Sequence, residues 1–281
     1  MGNRKMTHTH DSNIKIRLQS VTQTYSENES ETKALDNVSV DFTTGKFTSI
    51  VGPSGCGKST LLSLVAGFQK PSSGTIFLDN KPLKGPGSNR GFVFQDYALF
   101  PWKTVLENIA FGLRINGKPR KEADDIAKQF LRMVNLEKFA DTYPYALSGG
   151  MKQRVSIARA LAYNPEVLLM DEPFGAVDAQ TRKMLQKELV HILDKFNKTI
   201  LFVTHSVLEA VFLSDVVVVM TAHPGKIKGV VPVNLSRPRN HSEKEYIEVR
   251  NHILTLLEEE VEKDFKEQNT LALTAQNRDL D

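Results

Sequence analysis

The sequence predicts an α/β fold, with a mainly parallel sheet, an antiparallel β region on the N-terminal side and an inserted helical subdomain. Apolar, strand-length runs at 166–172, 198–205 and 215–220 alternate with helical segments, which is typical of a parallel sheet covered on both faces. The segment 14–25 alternates apolar and polar residues, as a half-buried strand does. Between 97 and 164 the apolar residues recur mainly at helical spacing, which indicates an insertion into the sheet domain.

Each remaining element is predicted from its period, its length and the turn residues that bound it. Residues 1–13 are expected to be a polar tail, and the charged stretch 26–33 is expected to be a turn between two strands. Gly67 is placed to end a short apolar helix that starts at Ser59. The other predicted elements are two strands within 34–52, strands at 74–79 and 90–96, and a helix at 179–196.

The C-terminal part is predicted to form its own element, a helix over 240–268 followed by a polar tail over 269–281. Such a helix would pack on the core of its own domain, taken as residues 14–236, and a role in holding a dimer together is the alternative. One apolar stripe supports the packing, and it consists of Tyr246, Val249, Ile253, Leu257, Val261 and Phe265.

Composition and charge restrict the classes of function. The 281 residues are 40% hydrophobic and 25% charged, which is ordinary for a soluble globular protein. A net charge of +3 without a basic patch does not favour nucleic acid as a partner. No apolar run approaches the roughly 20 residues that span a bilayer, and no secretory signal is recognised, so we expect a cytosolic chain. Cys56 is the only cysteine, which excludes an internal disulfide, and a small residue tolerated inside a loop is favoured over a reactive thiol.

The strongest local motif is a glycine-rich loop between a β-rich segment and an apolar helix. Gly52, Gly57, Lys58 and Ser59 satisfy the pattern G-x-x-x-x-G-K-[ST]. Glycines allow successive backbone N–H groups to converge on phosphate oxygens, the lysine can reach the β- and γ-phosphates, and the serine hydroxyl can hold Mg²⁺. The motif predicts a P-loop NTPase core, whose nucleotide-binding residues are Gly52, Pro53, Ser54, Gly55, Cys56, Gly57, Lys58, Ser59 and Thr60.

Polar side chains at the ends of other predicted strands would complete such a site. Asp171 and Glu172 follow a buried strand, and ligands of open α/β sheets bind at the carboxyl ends of strands. Asp171 is placed to help hold Mg²⁺, and Glu172 is placed to orient or deprotonate a water molecule. Gln95 and His205 follow two further strands and together favour a γ-phosphate site, although each alone would be an ordinary turn residue.

Two features leave alternatives open at this point. Tyr25, near a strand end, would either stack on an adenine ring or simply pack against its own domain. Ser148, Gly149 and Gly150 begin a second helix with the features of an anion site, although the first loop already cradles one triphosphate. An ordinary serine-capped helix is the alternative for this second helix start.

Taken together, these residues resemble the nucleotide-binding subunit of an ATP-binding cassette (ABC) transporter. The resemblance extends from Ile14 to Leu235 and rests on ordered motifs, which are GPSGCGKST (52–60), Gln95, LSGGMKQR (147–154), VLLMDEP (167–173), Asp178 and His205. It implies an ATPase that uses ATP and Mg²⁺ and works as two copies placed head to tail. Ser148, Gly149 and Gly150 of one copy would then close over the γ-phosphate that the other copy holds.

The resemblance also implies a role for each matching side chain. Tyr25 would stack on adenine, Asp171 would support Mg²⁺, and Glu172 would be the general base. Gln95 would contact Mg²⁺ and the attacking water, and His205 would contact the γ-phosphate. The implied metal ligands are therefore Ser59, Gln95 and Asp171, and the implied catalytic residues are Glu172, His205 and Gln95.

Contacts with other subunits are implied in the same way. Asp178 resembles the aspartate of a loop that crosses between the two copies. Gly175 stands where many members of the family carry a serine, which puts any hydrogen bond of that serine in doubt. Phe100, Pro101 and Trp102 would line the groove that receives a helix of a membrane subunit, and a locally packed turn is the alternative.

The finer sequence narrows the resemblance to importers of nitrate, sulfonates and taurine, and importers of thiamine-type pyrimidine precursors are similar here. The segments that carry it are 95–109, 171–182 and 204–220. The chain would then lie at the cytoplasmic face of the cell membrane as a peripheral subunit. Its partners would be a second copy, two transmembrane permease subunits and, indirectly, a solute-binding protein.

Two other classes of protein are less favoured. A soluble ABC ATPase acting on nucleic acid or ribosomes usually carries two cassettes or a long coiled coil, whereas this sequence has one cassette, no long heptad run and no basic patch. A P-loop kinase or GTPase is disfavoured by the Leu-Ser-Gly-Gly element and by the lack of an Asn-Lys-x-Asp motif.

Overall fold

A computed structural model describes residues 13–27, 30–175, 177–194, 196 and 198–278 of the chain. The strands in these residues are β1 (Ile14–Glu27), β2 (Ser30–Thr43), β3 (Phe47–Val51), β4 (Ser73–Leu78), β5 (Lys81–Pro82), β6 (Arg90–Val93), β7 (Val167–Asp171), β8 (Thr199–Val203), β9 (Val216–Met220) and β10 (Ile227–Pro232). The α-helices are α1 (Lys58–Ala66), α2 (Val105–Ile115), α3 (Arg120–Met133), α4 (Gly149–Ala162), α5 (Ala179–Asp194), α6 (Val207–Leu213) and α7 (Lys244–Arg278).

The N-terminal strands form a four-stranded antiparallel sheet in the order β2-β1-β4-β5. The central strand β1 pairs with both β2 and β4, and its inward side chains Ile16, Leu18 and Val21 are buried. The predicted antiparallel region on the N-terminal side is therefore confirmed.

The turn between β1 and β2 is shorter than the predicted stretch 26–33. Cross-strand pairs continue to Glu27 and Ser30, so most of the charged stretch belongs to the two strands. Cross-strand hydrogen bonds along the hairpin stabilise these residues as strands, although their polar composition favoured a turn. Residues 28 and 29 lie outside the described residues.

The second sheet has six strands in the order β10-β9-β3-β8-β7-β6. Neighbouring strands from β9 to β6 run parallel, and β10 pairs antiparallel with β9 at the edge. The central strands β3 and β8 are buried along their whole length, as expected when both faces are covered. Because parallel strands all end on the same side, the segments that follow β3, β6, β7 and β8 meet at one edge of the sheet.

Helix α1 packs against both sheets. Its residues Leu61, Leu62 and Leu64 are completely buried, and their cluster contains side chains from β1, β2 and β4 as well as from β7, β8 and β9. The apolar burial of α1 therefore fixes the loop before it at the carboxyl edge of the parallel sheet.

Helices α2, α3 and α4 lie between β6 and β7, within the segment 97–164 predicted to be mainly helical. A capping box between Thr104 and Glu107 begins α2. The side-chain amide of the fully buried Asn108 donates to the carbonyl oxygens of Phe100 and Thr104. This network holds the turn that precedes α2.

The last helix is longer than predicted. The sequence predicts a helix over 240–268 and a polar tail over 269–281, whereas α7 runs from Lys244 to Arg278. The prediction is wrong for 269–278. No glycine or proline interrupts the sequence of α7, so no residue in it opposes the helix beyond 268.

The apolar stripe of α7 packs on the core of its own domain. Tyr246 and Ile253 are completely buried, and Val249 and Leu257 pack on the same cluster, which includes side chains of α6 and β9. The side chains of Val261 and Phe265 lie outside the described ones. Of the helices that the structure describes, none combines the length and the apolar character needed to cross a membrane.

Candidate nucleotide-binding site

The loop that follows β3 leads directly into α1. Gly55 and Gly57 have left-handed φ angles of 75° and 90°, and Gly57 is the N-cap residue of α1. Gly57 has no side chain that could cap the N–H groups in the first turn of this helix. Its backbone N–H groups are therefore available to an anion, with the positive end of the helix dipole behind them.

The back of this loop is packed too tightly for a larger residue at two positions. A Cβ atom on Gly52 would lie 2.7 Å from Sγ of Cys56, and one on Gly57 would lie 2.7 Å from the carbonyl oxygen of Ala34. A Cβ atom on Gly55 would have nothing within 4 Å. Burial raises the pKa of the Cys56 thiol, which agrees with a packed rather than a reactive cysteine. The loop is thus held from behind and open at its tip.

Gly225, in the turn between β9 and β10, supports the same loop. A Cβ atom on Gly225 would lie only 2.0 Å from the carbonyl oxygen of Cys56. The N–H of Gly225 donates to the oxygen of Ala34 at 3.0 Å, and its own oxygen accepts from the N–H of Asp36 at 3.0 Å. Our sequence analysis missed this residue, because no local pattern distinguishes a glycine that touches a distant loop.

The side chain of Lys58 folds back over the loop. Its Nζ atom donates to the carbonyl oxygens of Gly52 at 3.0 Å and Pro53 at 2.7 Å. The residue is 7% exposed. The ammonium group therefore lies within the loop, where phosphate oxygens can accept its hydrogen bonds in place of the two carbonyls.

Ser59 and Asp171, both predicted metal ligands, are in contact. Oγ of Ser59 donates to Oδ1 of Asp171 at 3.0 Å. Burial raises the pKa of the Asp171 carboxyl; the negative charge of Glu172 raises it further, and the bond from Ser59 lowers it in part. Hydroxyl and carboxylate oxygens are hard ligands, so this pair fits Mg²⁺. In the described residues, no group of three or more His, Cys, Asp or Glu side chains offers a separate metal site.

Glu172 and His205 form a pair next to these ligands. Nδ1 of His205 lies 3.1 Å from Oε2 of Glu172. Glu172 has a φ angle of 40°, a strained value for a residue other than glycine, and its N–H donates to the oxygen of Val203. A Cβ atom on Gly175 would lie 3.9 Å from both Nε2 of Gln95 and Oε2 of Glu172, so these two side chains face the same small space. The structure thus brings Gln95, Glu172 and His205 together.

Asp178 caps helix α5 of its own chain. Its Oδ1 atom accepts from the N–H groups of Thr181 at 3.0 Å and Gln180 at 3.1 Å. These hydrogen bonds, that of Thr181 above all, lower the pKa of the Asp178 carboxyl. The cap gives the turn before α5 a defined shape, and Ala176 within that turn lies outside the described residues.

The second anion-type helix start belongs to α4. Ser148 is its N-cap, and Oγ of Ser148 accepts from the N–H of Met151 at 3.3 Å. A Cβ atom on Gly150 would lie 2.9 Å from Cγ2 of Thr181, so the starts of α4 and α5 are packed together. In the part of the chain that the structure describes, no hydrogen bond or ion pair joins 148–150 to the loop 52–60.

Comparison with known proteins identifies the family. The sequence model of the ABC transporter family matches residues 35–175, half of the chain. The chain belongs to the ABC transporter family. The family, the fold class and the enzyme class predicted from the sequence are thereby confirmed, and this ABC subunit is an ATPase.

Curated relatives cover most of the ABC subunit. An uncharacterised ABC transporter ATP-binding protein of Methanocaldococcus jannaschii is 53% identical over 90% of this chain and 95% of its own length. A nitrate import ATP-binding protein of Synechocystis is 47% identical over 80% of this chain and 88% of its own. A taurine import ATP-binding protein of Rhizobium johnstonii is 52% identical over 69% of this chain and 74% of its own.

A solved structure has the same fold as the ABC subunit. It shows an ATP-binding cassette as a dimer in a post-hydrolysis state, bound to ADP and phosphate. The TM-score is 0.70 at 33% sequence identity, over 79% of this chain and 100% of that one.

Two aromatic regions of the ABC subunit remain accessible. Tyr25 is 40% exposed, and its hydroxyl donates to Oε1 of Gln69 at 3.1 Å. Phe100 packs on Phe111 with ring centroids 4.6 Å apart, as the locally packed alternative requires. Its neighbour Trp102 is 70% exposed, as a residue at a docking groove would be. Of the residues predicted to contact a membrane subunit, Phe100 is therefore packed and Trp102 is exposed.

Arg159 is a further site-related residue of the ABC subunit that our sequence analysis missed. Its guanidinium donates to the carbonyl oxygens of Ala98 at 2.6 Å and Tyr97 at 2.8 Å. Tyr97 and Ala98 have left-handed φ angles of 65° and 44°. Arg159 thus clamps a strained turn just after Gln95, and an arginine within a regular helix gives no sequence signal of such a role.

Proposed function

We propose that the ABC subunit hydrolyses ATP, with Mg²⁺, between the loop 52–60 and the carboxyl ends of β6, β7 and β8. The pair formed by His205 and Glu172, next to the pair formed by Ser59 and Asp171, carries this proposal. In this proposal Glu172 is a carboxylate base and His205 contacts phosphate, and both lie beside hard metal ligands. We assign the ATPase domain to residues 14–236, with the helical insert at about 97–164.

Binding in this proposal uses groups that already point into the loop. The N–H groups of 52–60 bind the phosphate oxygens, and Lys58 exchanges its bonds to two carbonyls for bonds to the β- and γ-phosphates. Tyr25, which is exposed, stacks on the adenine ring. Ser59, Gln95 and Asp171 would hold Mg²⁺. The bound ion would neutralise part of the charge on the phosphates.

Proton transfer in this proposal belongs to Glu172. Its carboxylate accepts the proton of the water that attacks the γ-phosphorus, and Gln95, which faces the same space, orients that water. Nδ1 of His205 donates to the Glu172 carboxylate, and when the imidazole carries both protons Nε2 can donate to a γ-phosphate oxygen.

We also propose that two copies work as a head-to-tail pair. The helix start at Ser148, Gly149 and Gly150 offers N–H donors that are not bonded to the phosphate loop of their own chain. The dimeric cassette that shares this fold supports such an arrangement. In the pair, Ser148–Gly150 of one copy binds the γ-phosphate held by the other, and Asp178 lies in the turn that crosses between them.

The proposed partners of the pair are two transmembrane permease subunits at the cytoplasmic face of the cell membrane, served by a solute-binding protein. The exposed Trp102 supports a docking contact with the permease. Relatives named for nitrate and taurine import support a solute of the nitrate, sulfonate or taurine class. Purification of the subunit from membranes tests this assignment: wild type should carry two permease chains, and W102A should lose them.

The variant E172Q tests the assignment of the base. Because the amide cannot accept the proton, kcat should fall by about 10²- to 10⁴-fold, while ATP binding persists and ATP-bound dimers accumulate. E137Q, at an exposed position, is the matched control and should behave as wild type. Hydrolysis by E172Q at the wild-type rate would show that another group takes the proton.

The variant S148R tests the head-to-tail arrangement. A bulky cation at the start of α4 should abolish ATP-dependent dimerisation and hydrolysis, because it blocks the partner's γ-phosphate, and leave ATP binding to the monomer largely intact. S242R, also on the surface, is the control. A parallel loss of binding and hydrolysis in S148R would place Ser148 in the site of its own chain, contrary to the proposal.

A further inference from the structure

The side chain of Glu209, in the first turn of α6, is buried in a polar network. Glu209 is 7% exposed. Its Oε2 atom accepts from Oγ1 of Thr204 at 2.6 Å, and its Oε1 atom accepts from Nε2 of Gln186 at 3.0 Å. Nε of Arg182 lies 3.7 Å from Oε1. A buried carboxylate needs such partners, because leaving it unpaired costs the desolvation of a charge.

One side of this network holds the segment that carries His205. Thr204 directly precedes His205 and is 2% exposed. While its hydroxyl donates to Glu209, the same oxygen accepts from the N–H of Ser206 at 3.0 Å. Thr204 is therefore bonded directly to the Glu209 carboxylate and Ser206 is bonded to Thr204, so the backbone on both sides of His205 is held.

The other side of the network holds the turn before α5. Arg182 donates through its guanidinium to the carbonyl oxygen of Val177 at 2.9 Å, and its backbone N–H donates to the oxygen of Asp178 at 2.8 Å. Nε of Arg182 is buried and makes no hydrogen bond, at 3.7 Å from Glu209. A shift of less than about 1 Å at the start of α5 would convert this ion pair into a hydrogen bond.

We propose that Glu209 is a positioning residue that links His205 to the turn Val177–Asp178, so that hydrolysis depends on how that turn is held. The link runs from Val177 through Arg182 and Glu209 to Thr204. It rests on the proposed function, in which His205 contacts the γ-phosphate and the Asp178 turn crosses to the second copy. When the second copy contacts this turn, the contact is transmitted to the His205 imidazole of the chain that carries the turn.

The variant E209Q breaks this link with little change in shape. When the glutamine oxygen accepts from Thr204, its NH₂ group faces Gln186, whose amide must turn over to accept from it, and Arg182 loses its negative partner. The double variant E209Q/Q186E restores the pair, since residue 209 can then donate to a carboxylate at 186. Arg182 keeps a negative partner in both the wild type and the double variant.

The experiment measures kcat, KM, ATP binding to the monomer and thermal unfolding for all three proteins. We expect E209Q to lose about 10- to 100-fold in kcat, a range typical of residues that orient others, with ATP binding within about twofold of wild type. The double variant should regain most of the kcat. Three results would each overturn the proposal: an unchanged kcat in folded E209Q, a loss of ATP binding as large as the loss of kcat, or no recovery of kcat in a folded double variant.

A second pair of variants covers the case in which E209Q does not fold. T204V removes the hydroxyl that bonds to Glu209 and nearly preserves volume, whereas T204S keeps the hydroxyl. T204V should lower kcat and T204S should not; equal activity of the two would overturn the link. E172Q, measured alongside, distinguishes failure of the proposed function from failure of the role of Glu209. If E172Q is inactive and T204V is active, the proposed function stands and the role of Glu209 fails.

Discussion

The substitution G225A should displace the phosphate loop, although Gly225 is far from that loop in the sequence. Gly225 is not part of the motif, yet its Cβ position lies 2.0 Å from the carbonyl oxygen of Cys56 and 2.9 Å from Cε of Met220. The φ angle of Gly225 is not left-handed, so alanine meets no intrinsic backbone strain there. The effect of G225A therefore comes from collision, chiefly with the backbone of Cys56 in the loop and to a smaller extent with the flexible end of Met220.

The size of the effect follows from the geometry. Real Cβ contacts essentially never fall below 3.0 Å, so Gly225 and Cys56 must separate by about 1 Å. Gly225 is held by hydrogen bonds to Ala34 and Asp36, which leaves the Cys56 peptide to move. Overpacking of this kind costs about 1–3 kcal/mol of stability, and misplacing a binding group by 1 Å costs about 10²-fold in rate.

The assay compares G225A with G85A, because alanine at Gly85 would have nothing within 4 Å. Calorimetric titration should show at least a tenfold weaker affinity of G225A for ATP, equal to about 1.4 kcal/mol, while G85A matches wild type. Thermal unfolding of G225A should occur a few degrees lower. ATP affinity of G225A within twofold of wild type, at an unchanged unfolding temperature, would show that Gly225 does not support the phosphate loop.

Two further substitutions probe stability and charge. R239M removes a buried guanidinium that donates to the oxygens of Val211 at 2.7 Å and Ser214 at 2.6 Å, so chemical denaturation should show a loss of about 3 kcal/mol or more; a loss below about 1 kcal/mol would contradict this. D171N should lose Mg²⁺-dependent ATPase activity while its asparagine still accepts from Ser59. Because the pKa of Asp171 is raised in the folded protein, protonation of this carboxyl favours the folded state at acid pH. This stabilisation is lost as the pH rises from the ordinary carboxyl pKa through the raised one. The unfolding temperature of D171N should therefore fall less than that of wild type over this pH range, and an identical fall would contradict the assignment.

Much of the candidate site was predictable because its residues are adjacent in sequence or follow strands. The pattern of Gly52, Gly57 and Lys58 needs only a preceding strand and a following helix. Asp171 and Glu172 end a strongly apolar strand, and parallel strands place their carboxyl ends at one edge. Hence the contact between Ser59 and Asp171, 112 residues apart, could be expected before the structure was known.

The sequence alone therefore determined the kinds of element, their order, the phosphate loop and the polar residues at strand ends, because these depend on local periodicity and spacing. Only the tertiary structure decided which residues support them. The contact of Gly225 with the loop and the network around Glu209 join elements that no local pattern connects. Such contacts arise from packing between distant segments, where the identity of a neighbour depends on the whole fold rather than on the residues beside it.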